Sequence, residues 1–241
     1  MTTIDQYPPL TPAPTIEPTS TLAFDAYRDI HKGVRSELFA VTASAGNTDP
    51  GDREGRAALT AHVVDLVELL VDHSGHEDTH VLPALAEHAP VLYERNATDH
   101  ADLDAWLARI AERASAMTTA VSGEQRARAH NLYLDLASFT GAYLAHLEFE
   151  ERIVMPALLD ALGVEGAVGI HQTIVSSIPP EVMAKTLALM IPAMNIDERV
   201  EMLRGMQASA PPEVFEGIRG LVTSVLTPGD SNALARRLGL R

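Results

Sequence analysis

The chain has 241 residues, a net charge of −15 and no cysteine. An acidic surface repels phosphate backbones and anionic headgroups, which argues against nucleic-acid and membrane partners. The missing thiols exclude disulfide scaffolds, thiolate zinc sites and iron–sulfur clusters.

Hydrophobic residues make up 46% of the chain and aromatics only 5%; Ala and Leu dominate, which favours helices over strands. In chain order, residues 1–18 carry Pro8, Pro9, Pro12, Pro14 and Pro18 and read as an extended, flexible arm. This arm has neither the basic nor the apolar region of a secretory signal. No apolar run approaches the roughly 18 residues that span a bilayer. A soluble cytoplasmic protein is the expectation.

Helical periodicity then fills residues 19–162. The first helix is expected to start at a cap on Ser20 or Thr21, with Leu22, Tyr27, Ile30, Val34, Leu38 and Val41 on one face. A second runs from Arg53 to Glu87, its apolar stripe formed by Leu59, Val63, Leu66 and Leu70, and Gly75 is its weak spot, open to a close approach by something bound. A third covers Pro90 to Met117, with a potential break near "RNATD". A fourth opens with a capping-box spacing at Ser122 and Gln125 and runs to Leu162, where "GVEGAVG" interrupts it. Four helices with short connections and no strand-like alternation predict an all-α, up-down-up-down four-helix bundle. Residues 163–241 read as a small helical appendage, with short amphipathic segments punctuated by Pro and Gly.

Two stretches carry the chemistry. Residues 76–80 spell "HEDTH", the H-E-x-x-H signature in which two histidines one helical turn apart hold zinc. But the second helix contains "HSGHEDTHVLPAL" (73–85) and the fourth "HLEFEERIVMPAL" (146–158). Each has a His, a Glu four residues later, and Pro-Ala-Leu beginning six after the Glu. His73 matches His146, Glu77 matches Glu150 and Pro83 matches Pro156, while His76 and His80 have no counterparts. Residues i and i+4 share a helix face, so two facing helices would supply two imidazoles and two carboxylates able to bridge. His31 on the first helix and His100 on the third are placed to add further nitrogen. Mixed imidazole and carboxylate donors suit iron, with manganese or zinc as alternatives.

This pattern resembles the hemerythrin-like, or HHE cation-binding, family of four-helix diiron proteins, over roughly residues 20–162. The resemblance implies two iron ions held by His31, His73, Glu77, His100, His146 and Glu150. His80 and Asp104 are additional candidates. Asp104 stands where oxygen carriers of the family have a second histidine on the third helix, and the fourth helix has His-x3-Glu where they have His-x4-Asp, with Glu151 at the longer spacing. These departures argue against simple oxygen carriage. The C-terminal helices resemble an appendage of actinobacterial members. His76 reads as a pocket or surface residue, Tyr143 as a packing residue or a hydrogen-bond donor, and Glu148 and Glu151 as surface charge. Arg35 is placed to pair with a carboxylate near the site.

The leading expectation is a non-haem diiron protein that binds or reacts with dioxygen, peroxide or nitric oxide, with catalase-like turnover in view and a redox partner protein as a candidate associate. The alternative is an iron or oxygen/redox sensor without turnover. A ferritin-like ferroxidase is disfavoured by the single E-x-x-H, and a zinc protease by the missing sheet.

Overall fold

The computed structural model describes residues 22–239. The arm expected at 1–18 and the Ser20/Thr21 cap lie outside that range. The first helix begins later than expected: α1 spans Arg28–Asn47, and Asp25 accepts hydrogen bonds from the backbone N–H groups of Tyr27 and Arg28 at its start. α2 spans Arg53–His80, with Asp52 as N-cap accepting from the Glu54 N–H. The predicted run to Glu87 breaks at Val81, and a short α3 follows at Leu82–His88. Pro83 cannot donate to the helix ladder, so the chain re-enters helix through Val81. α4, Pro90–Thr118, is continuous through "RNATD".

α5 spans Gln125–Phe149, without the expected capping box; Glu124 precedes it and makes no side-chain cap. A π-helical turn, Glu150–Val154, joins it to α6, Met155–Ser177. Gly163, at φ 68° and ψ 176°, kinks α6, but helix resumes at Val164, so the interruption expected over "GVEGAVG" shrinks to one residue. The run Gln125–Ser177 also contains an 18-residue window of mean hydropathy 1.7, of which 22% is buried. By length and composition it would suffice to cross a membrane, contrary to the expectation that no segment would.

α1, α2, α4 and α5 form a ring in which each packs on its neighbours, so α2 faces α5 across the diagonal and α1 faces α4. One half of the interior is apolar, built from Leu38, Leu66, Leu70, Leu107, Leu136 and Phe139. A second cluster closes the other end, with Tyr27, Leu85, Phe149, Val154, Met155 and Leu158. The remaining helices, α7 (Pro180–Ala193), α8 (Ile196–Ser209), α9 (Pro212–Val225) and α10 (Pro228–Leu238), have their own core around Leu187, Ile191, Leu203, Phe215 and Val222. α7 lies along α1. Gly33 permits the approach, since a Cβ there would sit 3.2 Å from the Leu189 Cγ and 3.4 Å from the Met190 Cα. Ion pairs of Lys32 with Glu198 and Arg28 with Glu201 flank the contact.

Candidate metal centre

Between the two apolar clusters the bundle interior is polar. His31, Glu77, His100, His146 and Glu150 are buried, and His73 is nearly so, its side chain 10% exposed. Helical periodicity accounts for their convergence. His73 and Glu77 stand one turn apart on α2, and His146 and Glu150 one turn apart where α5 enters the π turn. His31 and His100 come from the other diagonal pair of helices.

The donor atoms form two groups, His31–His73–Glu77–Glu150 and Glu77–His100–His146–Glu150, in each of which they lie within 4.8 Å of one another. Glu77 and Glu150 belong to both. One oxygen of Glu77 lies 3.3 Å from the His73 Nε2, and its other oxygen lies 3.2 Å from the His100 Nε2. Glu150 Oε2 lies 3.5 Å from the His31 Nε2, and Oε1 lies 3.2 Å from the His146 Nε2. Each group thus offers two imidazoles and the same two carboxylates.

Further acids hold the outer ring nitrogens. His31 Nδ1 lies 3.0 Å from Glu151 Oε1, and the Arg35 guanidinium donates to both Glu151 oxygens at 2.6 and 3.0 Å. His100 Nδ1 lies 2.6 Å from Asp78 Oδ1. Such contacts fix the ring and its tautomer for metal binding. Arg35 thus finds a carboxylate, but Glu151 is not simple surface charge. Its carboxyl is held down to about 2, because His31 and Arg35 outweigh the burial that opposes ionisation. Asp78 and Glu151 escaped the sequence reading although a signal existed: each directly follows a shared carboxylate, in "HSGHED" and "HLEFEE".

The donor chemistry fits a cation. The Nε2 atoms of His31, His73 and His100 and all four oxygens of Glu77 and Glu150 are buried without a hydrogen-bond partner. Unpaired acceptors at this density are costly unless something electropositive satisfies them. Burial, with the charge of His31, lowers the His73 pKa to about 3, and burial lowers that of His146 to about 4 against the pull of Glu150. Both imidazoles are therefore neutral and keep a lone pair at neutral pH, as metal ligation requires. Burial also opposes charge on His100, but Glu150, Glu77 and Asp78 override it and push that pKa up to about 11. The carboxylate pair thus draws positive charge into the cluster.

Among the described residues His146 Nδ1 also lacks a partner, as do two groups outside the donor set, Tyr27 Oη and the side-chain amide of Asn96. Each stands one turn before a site histidine, His31 and His100 respectively. The Tyr27 ring stacks on His31 with centroids 4.8 Å apart. Tyr143 packs edge-on against His146 at 5.7 Å and, tilted, against Phe139 at 5.5 Å, consistent with a packing role.

His80 and Asp104 stand outside both groups. Two turns separate His80 from His73, about 10 Å along the axis, and its ring instead neighbours His76 at 6.4 Å, both partly exposed. The "HEDTH" histidines therefore do not converge on Glu77. Asp104 is half-buried; burial raises its pKa, and its neighbours are His100, Asp78 and Ser74. Gly75 is exposed, and no described protein atom lies within 4 Å of where its Cβ would be.

A helical bundle whose core carries paired His/Glu groups is a metal-binding bundle. The chain matches the model of the hemerythrin HHE cation binding domain over residues 22–158, more than half its length, and belongs to that family. No curated protein and no solved structure matches it.

Proposed function

We propose that the bundle holds two iron ions and uses them to bind or turn over an oxygen species, with peroxide, dioxygen and nitric oxide as the small ligands. The observation that carries this reading is the sharing of Glu77 and Glu150 between two donor groups, which suits a metal pair better than a single ion. His31 and His73 would complete one position, and His100 and His146 the other. Iron bound there would supply one- and two-electron redox chemistry. Four protein donors per position would leave room for a small molecule beside the metal.

The chain's own residues do the rest. Glu151 and Asp78 hold His31 and His100 in orientation. Phe139, Tyr143 and Leu147 wall the site against water on the apolar side. Tyr27 Oη and the Asn96 amide offer hydrogen bonds to whatever is bound. Absence of a second third-helix histidine, with two carboxylates shared among four imidazoles, favours turnover over reversible carriage.

The test is oxygen evolution from hydrogen peroxide by the iron-loaded protein. Turnover that disappears in Glu150→Ala supports the reading; iron binding with no consumption of peroxide contradicts the catalase-like part. That second result would fit a sensor, a reading that has one observation in its favour: α1 carries His31 on one face and, two residues on, the Gly33 contact with α7.

A further inference from the structure

A cleft of about 1400 Å³ separates the bundle from the C-terminal helices. It is far larger than a diatomic ligand needs, and exceeds the roughly 300–1,000 Å³ of typical small-molecule sites. It reaches His73, Glu77 and Tyr27, whereas His100 and His146 do not line it. The cleft therefore opens on one half of the donor set.

Its two walls have different origins. The bundle supplies the metal side. α6, α7 and α8 supply half-buried apolar side chains, among them Ile170, Ile174, Met183, Met202 and Met206. Methionine adapts its shape to varied ligands. The α7 wall is held in place by the Gly33 contact and the flanking ion pairs. Asp65, Glu68 and Asp72 stand exposed along the rim, while the cleft arginines Arg28 and Arg152 are paired with Asp29 and Glu148. Lys185 also lines the cleft and is exposed, but the three rim acids outnumber it, so an anion entering would meet net negative charge. At the inner end the buried Tyr27 hydroxyl has no hydrogen-bond partner among the described residues.

We propose that this cleft binds an uncharged, largely apolar organic molecule bearing one hydrogen-bonding group, which lies against the methionine and isoleucine wall with its polar end at Tyr27 beside the His31–His73 position. The C-terminal helices would thereby give a metal bundle a site for an organic ligand. The inference rests on the metal-pair reading only for what the ligand lies next to.

The probe is 2-naphthol, with 2-naphthoate as the anionic comparison, titrated calorimetrically into the full-length metal-loaded protein. Saturable 1:1 binding of 2-naphthol is expected, with 2-naphthoate at least about tenfold weaker because its charge would be buried unpaired. Ile174→Glu and Met206→Glu should each weaken 2-naphthol at least about tenfold, with helix content and metal content unchanged. Tyr27→Phe should weaken it about two- to tenfold, the worth of one hydrogen bond. With manganese(II) in the site, the naphthol proton resonances should broaden beyond what the zinc(II)-loaded protein gives. Absence of saturation, indifference to both glutamate variants, or equal broadening with either metal would overturn the proposal. Two bound metals without naphthol binding defeats this inference alone; variant-sensitive naphthol binding without metal supports the cleft and defeats the metal reading.

Discussion

Residues 73–85 and 146–158 share a spelling, His-x3-Glu and then Pro-Ala-Leu, yet the chain folds them differently. On α2 the proline follows a break at Val81, and a separate short helix begins. On α5 the same proline lies just beyond a π turn, whose wider loop lets the Met155 N–H reach the Glu150 carbonyl, and helix continues into α6. Both devices deal with a missing N–H and a ring that crowds the preceding turn. What the two stretches keep in common is chemical: an inward His, a shared Glu, and an acid directly after it that orients a histidine from a neighbouring helix. The backbone diverges, and those side chains still arrive.

That comparison can be broken most sharply at the shared carboxylates. Glu77→Ala and Glu150→Ala should each bring metal content from about two ions per chain to near zero, because each residue serves both positions; His73→Ala should leave one position intact. Metal analysis that finds one ion retained in either glutamate variant would show that the carboxylates do not bridge.

The orienting acids come next. Asp78→Asn and Glu151→Gln should each weaken metal binding about 10- to 100-fold, measured by chelator competition. Equal losses would make the two halves equivalent. A smaller loss at Asp78, which lacks an arginine partner like Arg35, would rank them.

The two helix-face histidines should also share a pH signature in chelator-treated protein. His73 and His146 titrate near 3 and 4 when folded, against about 6.5 when unfolded. The unfolded chain therefore binds more protons below about 6.5. Their contribution to stability is complete above that pH and is lost as pH falls through about 4 and 3. Denaturation midpoints measured between pH 7 and 4 should decline, and His73→Gln should flatten the decline.

The smallest effect lies away from the site. Gly33→Leu should displace α7 and cost about 1–3 kcal/mol by overpacking, with metal content unchanged in the same sample.

Much of this was readable from the residues. The apolar stripes located the bundle helices because a 3.6-residue period is hard to mistake over twenty residues, and the repeat singled out His73, Glu77, His146 and Glu150 as a unit. His31 and His100 needed only their place on the other two helices. The start of α1 was misjudged because apolar Leu22 and Tyr27 fit the helical period, though they pack in a non-helical lead-in and its junction. Glu151 reads as surface charge and Asp78 draws no reading, because an acid beside a buried residue usually faces water, and only the neighbouring helices show what each one faces. Tyr27 and Asn96 carry no local pattern; burial without a partner marks them, and burial is a tertiary fact. The seat of α7 on α1 likewise depends on Gly33, which only its contact with Leu189 and Met190 brings out.

The central claim is a metal pair bridged by Glu77 and Glu150. Its most direct test is metal stoichiometry, with an optical spectrum, on full-length protein purified without added metal, beside Glu150→Ala. The account predicts about two irons per chain, near-ultraviolet charge-transfer bands, and loss of both in the variant. One zinc per chain, a featureless spectrum and a variant that keeps its metal would contradict it.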